Sequence, residues 1–237
     1  MPSRHFPVPR AIGVVNATSG FSDDERALRR REYRRHIPED VELIFESIEG
    51  GPQFFDRGEQ FGEAISAAER FFSSFDWSRF GVMIWSGAID PGLHGVRALS
   101  PIPVIGPGEA ALYLASIWGR PLSVITVDRH AVEVTGALLD QVGAKPPIAS
   151  VRSMEVPVRQ IVQDREAGRS AIRREAAIAA NEDGAEVVYL GSMTLGTLGL
   201  DEELKSDLGI AVLNPIKVAA RTALEVLESR ASWSSSR

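Results

Sequence analysis

Short runs of apolar residues, each closed by Gly, Pro, Asn, Asp or Ser, alternate along this chain with longer stretches in which apolar positions recur at helical spacing. The short runs read as strands over Ala11 to Val15, Val41 to Ser47, Gly81 to Trp85, Val104 to Ile105, Leu122 to Val127, Ile148 to Met154, Glu186 to Leu190 and Ala211 to Leu213. The stretches between them read as helices over Ser22 to His36, Gly58 to Ser73, Glu109 to Trp118, Ala131 to Val142, Val158 to Asp183, Asp201 to Asp207 and Lys217 to Arg230. Gly108 and Glu109 open one helix, and Asp183-Gly184 closes another. Strands alternating with helices are the pattern of βαβ units, so the expected fold class is α/β with parallel sheets.

The pattern also occurs twice. Gly81-Val82-Met83-Ile84-Trp85 runs into Ser86-Gly87-Ala88, a helix-like stretch, and Ile102-Pro103-Val104-Ile105-Gly106-Pro107 before an alanine-rich helix. Glu186-Val187-Val188-Tyr189-Leu190 runs into Gly191-Ser192-Met193, then Leu204 to Leu208, and Ile210-Ala211-Val212-Leu213-Asn214-Pro215 before Val218-Ala219-Ala220. Upstream, Ile12-Gly13-Val14-Val15 corresponds to Val124-Ile125-Thr126-Val127. Two pseudo-symmetric parallel-sheet βα lobes are the economical explanation. Residues 1–112 with 214–237 form the first lobe, to which the C-terminal helix returns, and residues 113–213 form the second. Ligands bind outside the carboxyl ends of parallel strands, so the turns around Gly87 and Ser192 are expected to face each other across a cleft between the lobes.

Composition narrows the function classes. A chain of 237 residues is long enough for one large domain or two small lobes. With 26 basic against 32 acidic residues, a net charge of -6 and no long run of one sign, a nucleic-acid partner is not expected. The short cluster Arg29, Arg30, Arg31 and Arg34, Arg35 reads as a solvated helix face. No stretch approaches the roughly 18 apolar residues of a membrane span, and no apolar segment follows Met1-Pro2-Ser3-Arg4-His5. The expected location is therefore cytoplasmic, with no membrane partner; self-association into a homo-oligomer stays open. The serine-rich end, Ala231 to Arg237, reads as a frayed tail.

The chain has no cysteine, which excludes disulfides, thiolate metal sites and thiol catalysis. The histidines His5, His36, His94 and His130 are isolated and no nucleotide fingerprint occurs, so neither a metal nor another cofactor is expected. The turn Gly106-Pro107-Gly108-Glu109 either presents N–H groups to an anion at a helix N-terminus or only permits a tight bend. Asn16, Thr18 and Ser19, with Gly20 behind them, suit a carboxylate and are equally ordinary turn formers. Phe54, Phe55, Phe61, Phe71 and Phe72 fit packing or cleft walls.

Four segments, in order, carry a likeness: Asp90-Pro91-Gly92-Leu93, Pro103-Val104-Ile105-Gly106-Pro107-Gly108-Glu109-Ala110-Ala111, Ser123-Val124-Ile125-Thr126 and Asp183-Gly184-Ala185-Glu186-Val187-Val188-Tyr189-Leu190-Gly191. Over nearly its whole length the chain resembles the aspartate/glutamate/hydantoin racemase superfamily, most of all its hydantoin racemase branch. The resemblance implies a site between two lobes and two cysteines, one per lobe, acting as acid and base on opposite faces of a substrate α-carbon. Counted from these motifs, the two positions are Gly87 and Ser192, the pair that the internal repeat aligns. A thiol titrates at about 8.5, whereas a serine hydroxyl needs a neighbouring base before it moves a proton usefully. The two-thiol mechanism is closed to this chain.

The arylmalonate decarboxylase branch resembles an intermediate case, with glycine at the first position and cysteine at the second; Ser192 departs from it. Thiol-free chemistry, a cysteine-to-serine change made in a parent chain, and binding without catalysis all fit. The function implied is that of a cofactor-independent racemase or isomerase acting at the α-carbon of a small carboxylate or hydantoin-type cyclic amide. An arylmalonate-decarboxylase-like lyase and a catalytically silent binding protein are the alternatives. In this reading Asn16, Thr18, Ser19, Ser86, Ala88 and Thr126 hydrogen-bond the substrate, Ser192 stands over the reacting carbon opposite Gly87, and Met193 and Thr194 offer N–H groups to a developing enolate. If Ser192 is not the proton carrier, Asp128, His130 or Glu109 is the next candidate. A serine hydrolase is a third reading, although no His or Asp adjoins Ser192 in sequence.

Overall fold

A strand that is largely apolar and buried along its whole length is covered on both faces, and among the described residues four of the eight strands are of this kind. They are β1 (Ala11–Asn16), β3 (Val82–Ser86), β5 (Leu122–Thr126) and β7 (Val187–Leu190), each buried at every residue. In the computed structural model, which describes residues 8–55, 59–143 and 145–235, these are the interior strands of two four-stranded parallel sheets. The strands β2 (Glu42–Ser47) and β6 (Ile148–Ser153) are half-buried and carry polar residues because each has a neighbour on one side only. The opposite edges are the short β4 (Val104–Ile105) and β8 (Ala211–Leu213), which leave little unpaired backbone.

The sheets share one strand order, β2-β1-β3-β4 and β6-β5-β7-β8. In register, Val82 stands beside Ile12 and Val187 beside Leu122. Gly87 lies as far beyond Val82 as Ser192 lies beyond Val187, so this pairing holds in space, whereas the upstream correspondence shifts by two residues: Ile12 matches Leu122 rather than Val124.

The helices are α1 (Asp23–Arg34), α2 (Glu59–Ser73), α3 (Leu93–Leu99), α4 (Pro107–Trp118), α5 (Arg129–Gln141), α6 (Val158–Gln163), α7 (Arg165–Asn181), α8 (Met193–Gly196), α9 (Asp201–Leu208) and α10 (Pro215–Ser235). Ser22 caps α1 through its hydroxyl, which accepts from the N–H of Glu25. The helix-like stretch after Ala88 is α3, opened by Gly92 at φ +70°. Helix α10 packs on α4, β3 and α1, beside the first sheet.

Two expectations need correction. The stretch Val158 to Asp183 is two helices, because Asp164 is extended (φ -133°) and its carboxylate accepts from the N–H of Ala167 to start α7. The serine-rich end continues α10 as far as Ser235, since serine costs a helix only roughly half a kcal/mol relative to alanine. Arg237, His5 and Gly58 lie outside the described residues.

Two apolar clusters fill the interior. One runs through both lobes and includes Ile12, Ile84, Ile125 and Tyr189. The other lies against the first sheet, where Trp85, Phe72, Phe80 and Met83 meet. Phe72 stacks on Trp77 at 4.9 Å and Phe75 on Phe80 at 5.4 Å, so Phe71 and Phe72 belong to this packing.

Candidate active site

The turns that follow β3 and β7 face one small cavity, of about 60 Å³, that opens to solvent. Ser86, Gly87 and Ala88 form one side, and Gly191, Ser192, Met193 and Thr194 form the other. Phe21, Phe54, Phe55 and Phe61 line it with aromatic surface, and Val127, Ala131 and Val158 complete the apolar wall.

The turn bearing Gly87 is held from several directions. The N–H of Gly87 donates to the carbonyl of Trp85 at 2.8 Å, and the N–H of Asp90 donates to the carbonyl of Gly87 at 2.9 Å. The indole N–H of Trp85 donates to the carbonyl of Pro91 at 2.7 Å. From the other lobe, the hydroxyl of Tyr189 donates to the carbonyl of Ala88 at 2.5 Å. Asp90 itself is in the left-handed region at φ 52°. Its carboxylate accepts from the N–H of Gly108 at 3.1 Å and of Glu109 at 2.6 Å.

The helix N-terminus that follows Gly106 therefore does face an anion, and the anion is the chain's own Asp90. A Cβ at Gly108 would lie 2.6 Å from the carbonyl oxygen of Ala88, so this approach requires glycine. Burial pushes the Asp90 carboxyl up to about 7, although both N–H donors favour the anion.

Across the cavity, Ser192 is extended at φ -146° and opens α8 without a side-chain capping bond. Its half-buried hydroxyl stays available to the cavity. The N–H groups of Met193 and Thr194 lie in the first turn of α8, where no intrahelical acceptor exists for them.

Among the described residues one charged side chain enters the lining, and it belongs to the arginine cluster expected to face solvent. Arg29 is only 4% exposed, which corrects the solvated-face expectation for this member of the arginine cluster. Helical geometry is the reason: Arg29 shares the buried face of α1 with Glu25 and Tyr33, while Arg30, Arg31 and Arg35 are exposed. Its Nη2 donates to Thr194 Oγ1 at 2.8 Å, and its guanidinium lies over the ring of Phe21 at 3.8 Å. Its Nε has no partner, and burial lowers its pKa to about 10. The same face carries Tyr33, whose hydroxyl is 3.3 Å from that of Ser86 and is pushed up to about 12 by burial. The helical period through Glu25, Arg29 and Tyr33 was the available signal for both residues.

Of the residues singled out in the sequence, Thr18, Ser86, Gly87, Ala88, Ser192, Met193 and Thr194 share the cavity. Asn16, Ser19 and Thr126 are not in its lining. Ser19 is engaged elsewhere: its N–H donates to the carbonyl of Pro52 and its hydroxyl to that of Gly51, while the N–H of Gly20 donates to the carbonyl of Gln53. These turn donors are satisfied by the chain. Asn16 ends β1 buried beside Ser86 of β3, and Thr126 Oγ1 is buried with no partner.

Asp128, His130 and Glu109 are also outside the lining. Asp128 caps α5 by accepting from the N–H of Ala131, His130 is exposed, and Glu109 pairs with Arg97. Among the described residues that line the cavity there is no carboxylate and no imidazole, so Ser192 lacks the partners of a nucleophilic serine. Among the described residues no cluster could hold a metal ion, and no helix is long and apolar enough to cross a membrane. The arrangement can accept a small molecule with an apolar body, donate hydrogen bonds from hydroxyls and N–H groups, and offer one cation.

The family model described as Asp/Glu/Hydantoin racemase matches residues 12–223. The hydantoin racemase of Paenarthrobacter aurescens is 31% identical over 134 residues, which are 56% of this chain and 56% of that protein, so the match spans little more than half of the relative. The crystal structure of allantoin racemase from Pseudomonas fluorescens superposes with a TM-score of 0.82 at 26% identity, covering 93% of this chain and 92% of that one. A liganded variant of arylmalonate decarboxylase shares the fold at 15% identity and a TM-score of 0.58, over 92% of each chain.

Proposed function

The chain belongs to the Asp/Glu/hydantoin racemase family, and we propose that it acts at the α-carbon of a small carboxylate or hydantoin-type cyclic amide held between the turns of Gly87 and Ser192. The observation that carries this reading is that these two residues, equivalent in the repeat, line one cavity from opposite sides. A carbonyl oxygen of the ligand would accept from the N–H groups of Met193 and Thr194. The charge that grows on that oxygen as the α-proton leaves then meets fixed donors in a site walled by aromatic rings.

The proton itself has poor carriers. Ser192 offers a hydroxyl to one face of the α-carbon, and Gly87 offers no side chain to the other. Without a thiol, imidazole or carboxylate among the described residues of the lining, the cavity contributes chiefly by stabilising the enolate, and a hydroxyl or water moves the proton. Exchange is therefore expected to be slow and biased to the Ser192 face.

A lyase is the second reading, favoured by the apolar surroundings of Gly87, where Ala88, Ile89 and Pro91 line the wall. A substituted malonate placed there loses one carboxylate as CO2, the electron pair of the broken C–C bond becomes the enolate, and a single proton delivered from the Ser192 face completes the product. No base is needed on the Gly87 side.

The test is incubation of the chain with 5-substituted hydantoins, amino acids and substituted malonates in D2O, followed by NMR. Deuterium uptake at the α-carbon above a protein-free control, stereochemically biased, is the expected result. Bound ligand without exchange or CO2 release in any of them would overturn both catalytic readings and leave a binding protein.

A further inference from the structure

We infer that Arg29 is the counter-ion for a ligand carboxylate, so that the cavity selects an anion carrying an apolar or aromatic substituent over a neutral cyclic amide. This rests on the cavity assigned above and names which of its two substrate classes the site is built for.

Arg29 is a buried cation whose acidic neighbour Glu25 attracts it without forming an ion pair with it. Among the described residues no carboxylate lies within ion-pair distance of it, and its hydrogen-bond partner is the neutral hydroxyl of Thr194. Glu25, one turn earlier on α1, is engaged by Arg165, whose Nη1 donates to Glu25 Oε1 at 3.3 Å. Arg165 is anchored in turn on Thr197, donating to its carbonyl at 2.6 Å. Two guanidinium groups around one carboxylate leave one positive charge uncompensated. Removing such a charge from water is costly unless an opposite charge arrives, and the open face of Arg29 is the cavity.

The guanidinium is also oriented for a planar partner. The Phe21 ring packs against it and the Thr194 bond anchors Nη2, so its motion is restricted from two sides. The hydroxyls of Thr18 and Ser86 share this cavity and can serve a second carboxylate oxygen. Phe54, Phe55, Phe61 and Val158 leave apolar surface for the rest of the ligand. A neutral hydantoin would satisfy the hydroxyls but leave the charge bare.

The probes are 2-phenylpropionate and its neutral counterpart 2-phenylpropionamide, titrated calorimetrically into the full chain, Arg29→Met and Arg29→Lys. The carboxylate is expected to bind at least about 10-fold tighter than the amide, as charge-assisted pairing in a buried site implies. Arg29→Met should bring the two within about 2-fold, with Arg29→Lys in between, because lysine keeps the charge and loses the planar fork. If Arg29→Met fails to fold, Thr194→Val, which frees the guanidinium from its anchor, should lower the preference at least about 3-fold. Equal affinity for both probes in the unsubstituted chain, no saturable binding of the carboxylate, or an undiminished anion preference in Arg29→Met, or in Thr194→Val where Arg29→Met does not fold, overturns the inference. The proposed reaction is read separately, from α-deuteration of both probes. An Arg29-dependent preference without exchange sinks the reaction and leaves the inference standing, and exchange of the amide with no carboxylate preference does the reverse.

Discussion

Tyr189 on β7 donates its hydroxyl to the carbonyl of Ala88, and the strand leading to Ser192 is thereby tied to the turn that carries Gly87. The bond crosses between the lobes and is buried at both ends. Burial, with the nearby Asp90 charge, holds the Tyr189 phenol well above its usual range, so it stays a donor at every working pH. The spacing of the two halves of the cavity depends on it.

Tyr189→Phe should therefore act beyond its size. It removes the donor and leaves the Ala88 carbonyl buried without that partner, a change costing about 1–3 kcal/mol. Urea unfolding should show a lower midpoint with an unchanged slope, and ligand affinity should fall with it. Unaltered stability and affinity would mean that the lobes are positioned by the apolar cluster alone.

Gly87→Cys meets a steric obstacle that Ser192→Cys does not. A Cβ at Gly87 would stand 2.8 Å from Cδ of Pro91, in a turn whose backbone is pinned by Trp85, Tyr189 and Asp90. The single variant should lose roughly 1–3 kcal/mol of stability, as overpacked sites do. Adding Pro91→Ala should restore most of that loss. Two-face deuterium exchange by the double-cysteine variant is expected chiefly in the Pro91→Ala background, and Ser192→Cys alone should favour one face. Thermal melts and α-deuteration of both hydantoin enantiomers check this; full stability of Gly87→Cys would show that the Pro91 ring moves aside freely.

The repeat and the interior strands were legible because continuous apolar runs and matching turns need no partner to be recognised. Gly87 and Ser192 came out of that repeat. Arg29 did not, because a run of arginines in sequence hides the fact that only one of them falls on the face of α1 shared with Tyr33. The anion at the start of α4 and the engagement of Ser19 were hidden for another reason. Their partners, Asp90 and the carbonyls of Gly51 and Pro52, come from other segments, and only the fold brings them close. Asp164 breaks a helix whose apolar period continues on both sides, so periodicity alone could not find it.

Asp90 should give the stability a dependence on pH. Burial raises its carboxyl to about 7 in the folded chain, above the 3.8 of a free aspartate side chain, so the folded state holds an extra proton between these values. Its contribution is then fully present below about pH 4, declines as the pH rises, and is lost above about 7. Asp90→Asn keeps a residue tolerant of φ 52° and carries no titrating group. Relative to that variant, the unsubstituted chain should lose about 1.4 kcal/mol per pH unit across the middle of the window. Urea unfolding of both proteins at about pH 4.5 and 7.5 measures it. A difference that stays constant, or grows in favour of aspartate at the higher pH, would mean that the two N–H donors outweigh burial and keep Asp90 ionised.

The last prediction concerns the pH dependence of proton exchange, and it follows from what the cavity wall contains. Among the described residues of the lining, the ionisable side chain is Arg29, whose pKa of about 10 leaves it cationic near neutrality. No group there changes charge between about pH 5 and 9, the range in which a histidine or a thiol would. If the chain deprotonates a ligand's α-carbon through water or hydroxide with Ser192 as relay, the exchange rate should rise smoothly with pH over that range, with no inflection. Ser192→Ala should lower the rate without changing the shape of the curve. Ser192→Cys should introduce an inflection at about 8.5, displaced according to how the cavity treats the thiolate; Arg29 draws it down and the apolar wall pushes it up. The measurement is α-deuteration of one hydantoin enantiomer followed by NMR across the range, for the three proteins side by side. An inflection in the unsubstituted chain that survives Ser192→Ala would reveal a base beyond the cavity wall, and the proton path would then have to run through it rather than through Ser192.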